Sequence, residues 1–468
     1  MKRFKQYVTF LIFFISDFSA SFLGWILFYY LRRHYIEAKE FGVSFQIILP
    51  AIVVSTCWCI LYAYTGLYKT LFRKSRLTET IKVAKITLIG VGIIFFAVLL
   101  DDPVDTTTRF RFTYFAYFIV QFSLVATFRL IVNSIAKYLV ITKKVQFNTI
   151  LVGSGEQALN LYLELEKNPN DLGQRFIGFI ADSDYIHPEL QNRLPYLGKI
   201  EDVEDVVKKY DVQDIIVATE HTHAKDLLNI INKLRSMRIS IKLNPDRYDI
   251  IAGYVKTTQL LGTPLVEIQQ SLIPSWEKNS KRLVDIIVSL FVLVFFSWLY
   301  IILIIAVKLN SKGPAFYTQE RIGKDGVPFR IIKFRSMYVD AEKFGPALSK
   351  ENDPRVTKVG RFLRKYRLDE IPQFWNVLIG QMSLVGPRPE RKHFIEQIVQ
   401  KAPEYYLLHQ VRPGITSWGQ VKFGYAENVD QMLQRMKYDL LYIENMSLTM
   451  DLKIILYTIK TILKAEGK

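Results

Sequence analysis

The chain has 468 residues, half of them apolar, with a mean hydropathy of +0.14 and a formal charge of +17 from 61 Lys and Arg against 44 Asp and Glu. That hydropathy argues against an ordinary soluble globule and for a membrane protein, and the basic excess argues for an anionic partner. Lipid headgroups or a phosphorylated substrate suit such hydrophobicity better than nucleic acid, which is not expected as a partner. The two cysteines, Cys57 and Cys59, flank Trp58 in an apolar run with no histidine nearby, so they read as packing or lipid-facing residues and not as metal ligands.

The chain opens with four apolar stretches, residues 7–31, 45–64, 83–100 and 112–132, each close to the roughly 20 residues that cross a bilayer. They predict a membrane α-helical N-terminal bundle of four spans over residues 1–135. The first run is too long for the apolar region of a signal peptide and has no small-residue cleavage site, so no cleavable leader is expected. Lys2, Arg3 and Lys5 precede it, and Lys69, Arg73, Lys74, Arg76 and Lys82 follow the second run. The third loop, residues 101–105, is acidic, and Lys137, Lys143 and Lys144 follow the fourth run. By the positive-inside rule the N-terminus and everything after residue 135 lie on the cytoplasmic face of a multi-pass membrane protein, with Arg32 and Arg33 pulling the other way. Asp17, inside the first run, is either a functional acid or a side chain hydrogen-bonded within the bundle.

Residues 146–268 read as a Rossmann-like α/β domain. The segment FNTILVGSGEQALNLYLELEKN supplies a strand, a G-x-G-x-x-A turn at Gly153, Gly155 and Ala158, and a helix. FIGFIAD, VQDIIVAT and RISIKLN add strands, with the amphipathic pattern HAKDLLNIINKLRSM between the last two. Asp182 ends the second strand where a ribose-binding acid would stand. Gly153, Gly155 and Asp182 are therefore candidate nucleotide-binding residues, although the same glycines also serve tight strand-to-helix packing. No Tyr-x-x-x-Lys follows the turn, which counts against a sugar-nucleotide dehydratase.

Residues 283–307 form a fifth apolar run, with Lys278, Lys281 and Arg282 before it and Lys308 and Lys312 after. Basic residues at both ends predict a re-entrant helix that enters and leaves on one face, the alternative being a plain fifth span with an external C-terminal domain. Ser297, at its middle, can help a bend by bonding back to a carbonyl.

Beyond it, Lys333, Arg335, Arg361, Arg364, Arg367, Arg388 and Arg412 can offer donors to phosphate oxygens, a pattern that suits a diphosphate. His393 and His409 lie outside these compact motifs, which leaves the carboxylates Asp369 and Glu370 to carry any chemistry. One reading makes them ordinary helix-capping acids ahead of Pro372. The other keeps them ionised beside the arginines, able to hold Mg²⁺ or to present a nucleophile to phosphorus. The closing segment, residues 436–468, has an apolar and basic helical pattern that suits either a membrane surface or the domain's own core.

KRLVDIIVSL, GPAFYTQERIGKDG, KFRSM, LDEIPQFWNVLIGQMSLVGPRPE and VRPGIT, in that order over residues 275–468, resemble the bacterial sugar transferase family, the monotopic polyprenyl-phosphate glycosyl-1-phosphate transferases. The resemblance implies a mainly α monotopic catalytic domain carrying the re-entrant helix, and transfer of sugar-1-phosphate from a UDP-sugar to undecaprenyl phosphate with release of UMP. It implies Asp369 as nucleophile and Glu370 as its partner on Mg²⁺, with Lys333, Arg364, Arg388 and Arg412 contacting phosphate. It further implies membrane lipids as surroundings, a homodimer as a compatible assembly, the bacterial inner membrane as location, and initiation of exopolysaccharide, capsule or lipopolysaccharide O-antigen units. A non-catalytic scaffold or regulator that binds nucleotide sugars is the alternative, and it has no need of the Asp-Glu pair at this spacing. The family's usual Ser-Pro at the helix break is Ser297-Trp298 here, so the bend lacks its usual cause. Nothing in the sequence selects the sugar, and a hexose is expected from the overall layout alone.

Overall fold

A computed structural model describes residues 2–37, 45–68, 76–96, 107–167, 173–219, 239–243, 265–268, 273–341, 343, 353–424 and 426–463. The loop charges at 69, 73, 74 and 101–105 and the helical pattern at 223–237 lie outside the described residues. Two compact units divide the chain, the first holding the N-terminal helices and most of the α/β sheet, the second holding residues 268–468.

In the first unit, α1 (Lys2–Arg32), α2 (Phe45–Tyr64), α3 (Arg76–Ile94) and α4 (Thr107–Ile141) form a bundle. Its core is aromatic, with Phe13, Trp25, Phe28, Trp58, Tyr62 and Tyr117 buried together, and Trp58 Nε1 donates to the Tyr117 hydroxyl at 2.8 Å. Arg129 of α4 is 2% exposed. Its Nε donates to Asp17 of α1 at 2.9 Å and its Nη1 to Glu79 of α3 at 2.7 Å, and Glu79 also accepts from the Asn133 amide. Asp17 is thus hydrogen-bonded within the bundle, the second of its two readings.

Three helical stretches here, Tyr7–Tyr35, Ile47–Tyr64 and Thr113–Ile141, are long and apolar enough to cross a membrane. The expected third span differs: α3 begins seven residues earlier than the apolar run and takes in Arg76, Glu79, Lys82 and Lys85.

A six-stranded sheet follows, made of β1 (Phe147–Val152), β2 (Gln174–Ala181), β3 (Tyr196–Lys199), β4 (Asp214–Val217), β5 (Ser240–Leu243) and β6 (Val266–Ile268), in the order β3-β2-β1-β4-β5-β6. The pairs β1–β2, β1–β4 and β2–β3 are parallel, as a Rossmann-like unit requires. Helix α5 (Glu156–Lys167) leaves the glycine turn, and α6 (Pro188–Arg193) and α7 (Val203–Lys209) occupy the later connections.

The second unit opens with α8 (Ser275–Phe295) and α9 (Ser297–Asn310), bent by 63° at Phe296 and together apolar enough for a broken span or a re-entrant loop. The break needs no proline: the backbone leaves helical values at Phe296, φ −93 and ψ 16, one residue before Ser297, and Phe291, Phe295 and Phe296 cluster there. The foot of α8 is tied into the rest of the unit. Lys281 donates to the Val385 carbonyl at 2.8 Å and faces Asp451, Arg282 donates to the carbonyls of Val377 and Leu378, and buried Asp285 accepts from Leu384 N at 2.9 Å and Ser383 Oγ at 3.1 Å.

An antiparallel hairpin, β7 (Phe316–Ile322) and β8 (Pro328–Phe334), comes next. Then come α10 (Lys358–Lys365), α11 (Gln373–Leu378), β9 (Ser383–Val385), α12 (Lys392–Lys401), β10 (Gly414–Thr416), α13 (Trp418–Lys422), α14 (Val429–Glu444) and α15 (Leu448–Leu463). Val377, Met382, Phe394, Ile398, Tyr405, Met436 and Tyr442 fill the core. Helix α15 buries Ile454 and leaves Leu452, Leu456, Tyr457 and Ile459 exposed.

Candidate active site

Four local structures converge on the acidic pair. Strand β8 carries Lys333. Helix α10, capped by Thr357 whose hydroxyl accepts from Gly360 N at 2.9 Å, carries Arg364. The chain then reverses at Arg367, whose φ of 54 is left-handed and uncommon outside glycine, into a 3-10 turn over Leu368–Glu370. Finally, the loop after β9 brings in Arg388. That loop is pinned by close backbone approach: a Cβ on Gly386 would sit 2.3 Å from the Arg412 carbonyl, and one on Gly414 2.2 Å from Gly386 N, so neither position admits a side chain. Arg321 holds the same loop through the Pro389 carbonyl at 3.2 Å and Glu390 at 3.4 Å, and Arg435 pairs with Glu390 at 2.5 Å.

Asp369 and Glu370 are 7% and 6% exposed, yet their surroundings differ. Glu370 Oε1 accepts from Lys333 Nζ at 2.7 Å and lies 3.7 Å from Arg388, while its Oε2 faces Arg367 at 3.5 Å. Burial pushes the Glu370 carboxyl up, but Lys333, Arg388 and Arg367 outweigh it and hold the group well below the usual carboxylate range. Asp369 accepts no hydrogen bond among the described residues. Burial, and then the negative Glu370 beside it, push its carboxyl up against the pull of Lys333, Arg364 and Arg367. Helix α11 is capped by Pro372 with no side-chain bond, so the capping reading does not describe Asp369. An acid that no donor satisfies among the described residues, buried beside one gripped by three cations, is a candidate functional group.

The predicted basic residues do not all gather there. Lys333, Arg364 and Arg388 do, and burial, opposed by Glu370, pulls the Lys333 ammonium below the usual lysine range. Arg364 is oriented by Ser336, whose hydroxyl accepts from its Nε at 2.9 Å. Arg335, by contrast, is 6% exposed and donates to the carbonyls of Lys312 at 2.9 Å and Ser311 at 2.7 Å, closing the C-terminal end of α9. Lys333, two residues earlier, faces the acids and Arg335 does not: β8 ends at Phe334, so the strand alternation that would hold both on one face no longer governs Arg335. Arg412 lies beside Arg282 and Gly380, where burial and the Arg282 charge lower its own pKa. Asp285, Arg321 and Glu390, which shape this part of the domain, lie inside the quoted motifs without standing out in the sequence, and Arg435 lies outside them.

Among the described residues, no three His, Cys, Asp or Glu side chains gather into a metal cage. With Glu370 engaged by three cations, the pair suits a Mg²⁺ ion only together with a substrate's phosphate oxygens, the usual manner for this hard cation.

In the sheet domain, Gly153 has φ 141, and a Cβ there would stand 2.1 Å from the Ala218 carbonyl, so packing accounts for it. Asp182 Oδ1 accepts from both Ser154 N at 3.0 Å and Ser154 Oγ at 2.9 Å, and Gly155 serves as the first acceptor of α5, from Leu159 N at 3.2 Å. Asp182, the candidate ribose acid, is thus engaged by its own turn, and Glu156 opens α5 with a negative charge.

Residues 276–465 match the family described as bacterial sugar transferase, and residues 63–245 match one described as a CoA-binding domain. A Klebsiella pneumoniae protein named UDP-glucose:undecaprenyl-phosphate glucose-1-phosphate transferase is 39% identical over 56% of this chain and 57% of its own length. An Aeromonas hydrophila UDP-N-acetylgalactosamine-undecaprenyl-phosphate N-acetylgalactosaminephosphotransferase is 44% identical over 47% of this chain and 51% of its own. The matches therefore span about half the length of these two relatives. A Salmonella typhimurium undecaprenyl-phosphate galactose phosphotransferase is 30% identical over 90% of this chain and 87% of its own. With that near full-length likeness and the transferase motifs assembled around Asp369 and Glu370, the chain belongs to the bacterial sugar transferase family.

Proposed function

We propose that this protein transfers sugar-1-phosphate from a UDP-sugar to undecaprenyl phosphate, and that the contrast between free Asp369 and gripped Glu370 carries this reading. An Asp369 oxygen attacks the β-phosphorus in line. The bond from that phosphorus to the oxygen bridging to the α-phosphate breaks, and UMP leaves with that oxygen. A phosphate oxygen of undecaprenyl phosphate then attacks the same phosphorus, and the Asp369–phosphorus bond breaks, which returns the carboxylate. Two in-line displacements let one small site serve a soluble donor and a lipid acceptor in turn.

Arg364 and Arg388 neutralise the donor's phosphates, and Lys333, tied to Glu370, keeps that acid ionised and aimed. A Mg²⁺ ion on Asp369, Glu370 and the diphosphate would neutralise charge on the leaving UMP. The bent pair α8–α9 enters and leaves on the cytoplasmic face of the inner membrane as a re-entrant helix, with the N-terminal helices, α3 included, as four spans. A hexose donor agrees with the glucose, galactose and N-acetylgalactosamine in the relatives' names. The product would begin a repeat unit of exopolysaccharide, capsule or O-antigen.

A panel of UDP-glucose, UDP-galactose and the two UDP-N-acetylhexosamines, followed by UMP release in membranes, tests this reading. Turnover with one donor, and its loss in Asp369→Asn, is expected. No turnover with any of them, or full turnover in the variant, overturns it.

A further inference from the structure

Glu370, Gln373 and Asn376 are spaced three apart through a continuous right-handed stretch, with Ile371 at φ −55 and ψ −36 and Pro372 at φ −61 and ψ −17, so they share one face. All three are buried, at 6%, 2% and 1% exposure. Two of them are satisfied by the hairpin. Glu370 accepts from Lys333, while Asn376 accepts from Ile332 N at 3.2 Å and donates to the Arg330 carbonyl at 2.8 Å and to Gln381. Gln373, between them and one helical turn beyond Asp369, has a buried Nε2 with no acceptor among the described residues.

A buried donor left without a partner loses the hydrogen bond it makes to water in the unfolded chain, so such a group one turn from the acid pair calls for an acceptor that arrives later. The rest of the site is built for phosphate. Its other donors are cations, several of them already engaged, and a neutral amide adds a directed hydrogen bond without perturbing the charge balance that keeps Glu370 ionised.

Resting on the transfer reaction proposed above, we infer that Gln373 is a further catalytic residue, whose side-chain amide donates to a non-bridging oxygen of the phosphoryl group in transit through Asp369. The bond is strongest at the charged, in-line transition state, so its removal acts on the rate more than on donor binding.

Gln373→Met keeps length and removes the donor. Expected are a fall in kcat for UMP release of about 10²-fold, the scale of one lost oxyanion donor, an unchanged donor KM, and a Tm equal to or above wild type because an unsatisfied polar group has gone. Donors carrying sulfur at the β-phosphoryl position identify the acceptor atom, since for one of the two diastereomers the variant should lose much less relative to wild type than it does with oxygen. Equal losses with oxygen and with both sulfur isomers overturn the inference, as does a variant with wild-type kcat and a lower Tm, the mark of a structural amide. If wild-type protein releases no UMP from any donor, the transfer reading has failed; if wild type turns over and Gln373→Met matches it, only this inference has.

Discussion

Lys333 Nζ donates to Glu370 Oε1 at 2.7 Å, so the lysine that sequence alone would assign to phosphate is already engaged by a carboxylate. The consequence falls on the residue before. With Lys333, Arg367 and Arg388 turned to Glu370, Asp369 accepts no hydrogen bond among the described residues and feels Glu370 as a like charge.

That like charge has a pH signature. Asp369 must be ionised to attack, and its carboxyl lies above its ordinary value, so kcat/KM for UMP release should fall on an acid limb at higher pH than an isolated Asp would give. Glu370→Gln removes the negative neighbour, so the limb of its residual activity should move to lower pH while the neutral-pH rate drops. A pH–rate profile in which the limb stays in place or moves upward contradicts the assignment.

Arg335 and Arg388 should separate cleanly. Arg335→Met leaves the carbonyls of Ser311 and Lys312 without their charged donor, and a loss of about 2 kcal/mol, seen as a lower Tm at unchanged donor KM, is expected. Arg388→Met should instead lower kcat/KM about 10²-fold, as loss of one electrostatic donor typically does, at nearly unchanged Tm. Thermal unfolding in detergent beside steady-state kinetics reads both.

The 63° bend between α8 and α9 fits either a broken span or a re-entrant loop, and the proposed re-entry is open to a direct test. Single cysteines at Asn279 and Asn310, in a background with Cys57 and Cys59 replaced by serine, should both react with an impermeant maleimide from the cytoplasmic side alone. Modification from opposite sides would make the pair a broken span.

Arg129 links α1, α3 and α4 through Asp17 and Glu79. Arg129→Leu strands two buried carboxylates, for which a loss of about 3–5 kcal/mol is usual, and the bundle should aggregate or unfold early in size-exclusion and thermal assays. Adding Asp17→Leu and Glu79→Leu should recover much of the loss. A single variant as stable as wild type would show that this ion network does not hold the bundle.

Much of this was legible in one dimension. Apolar run lengths announced α1, α2, α4 and the α8–α9 pair, and the G-x-G-x-x-A turn announced β1 and α5, because membrane thickness and backbone sterics act on short contiguous segments. Motif order singled out Asp369 and Glu370, which the fold buries side by side among basic residues. Less legible was α3, where charged residues share the helix with an apolar run, and the bend at Phe296, which arises without the proline that usually marks one.

Sequence by itself determined which residue types are available for phosphate chemistry and that they sit beside a membrane segment, since composition and contiguous hydropathy need no knowledge of the fold. Only the tertiary structure decided what each one contacts: that Lys333 faces Glu370 while Arg335, two places along the same strand's continuation, closes a helix end, that Asp182 satisfies its own turn, and that the buried Gln373 amide finds no acceptor among the described residues. Those outcomes depend on what lies across from a side chain, and in a folded chain that neighbour is usually far away in sequence.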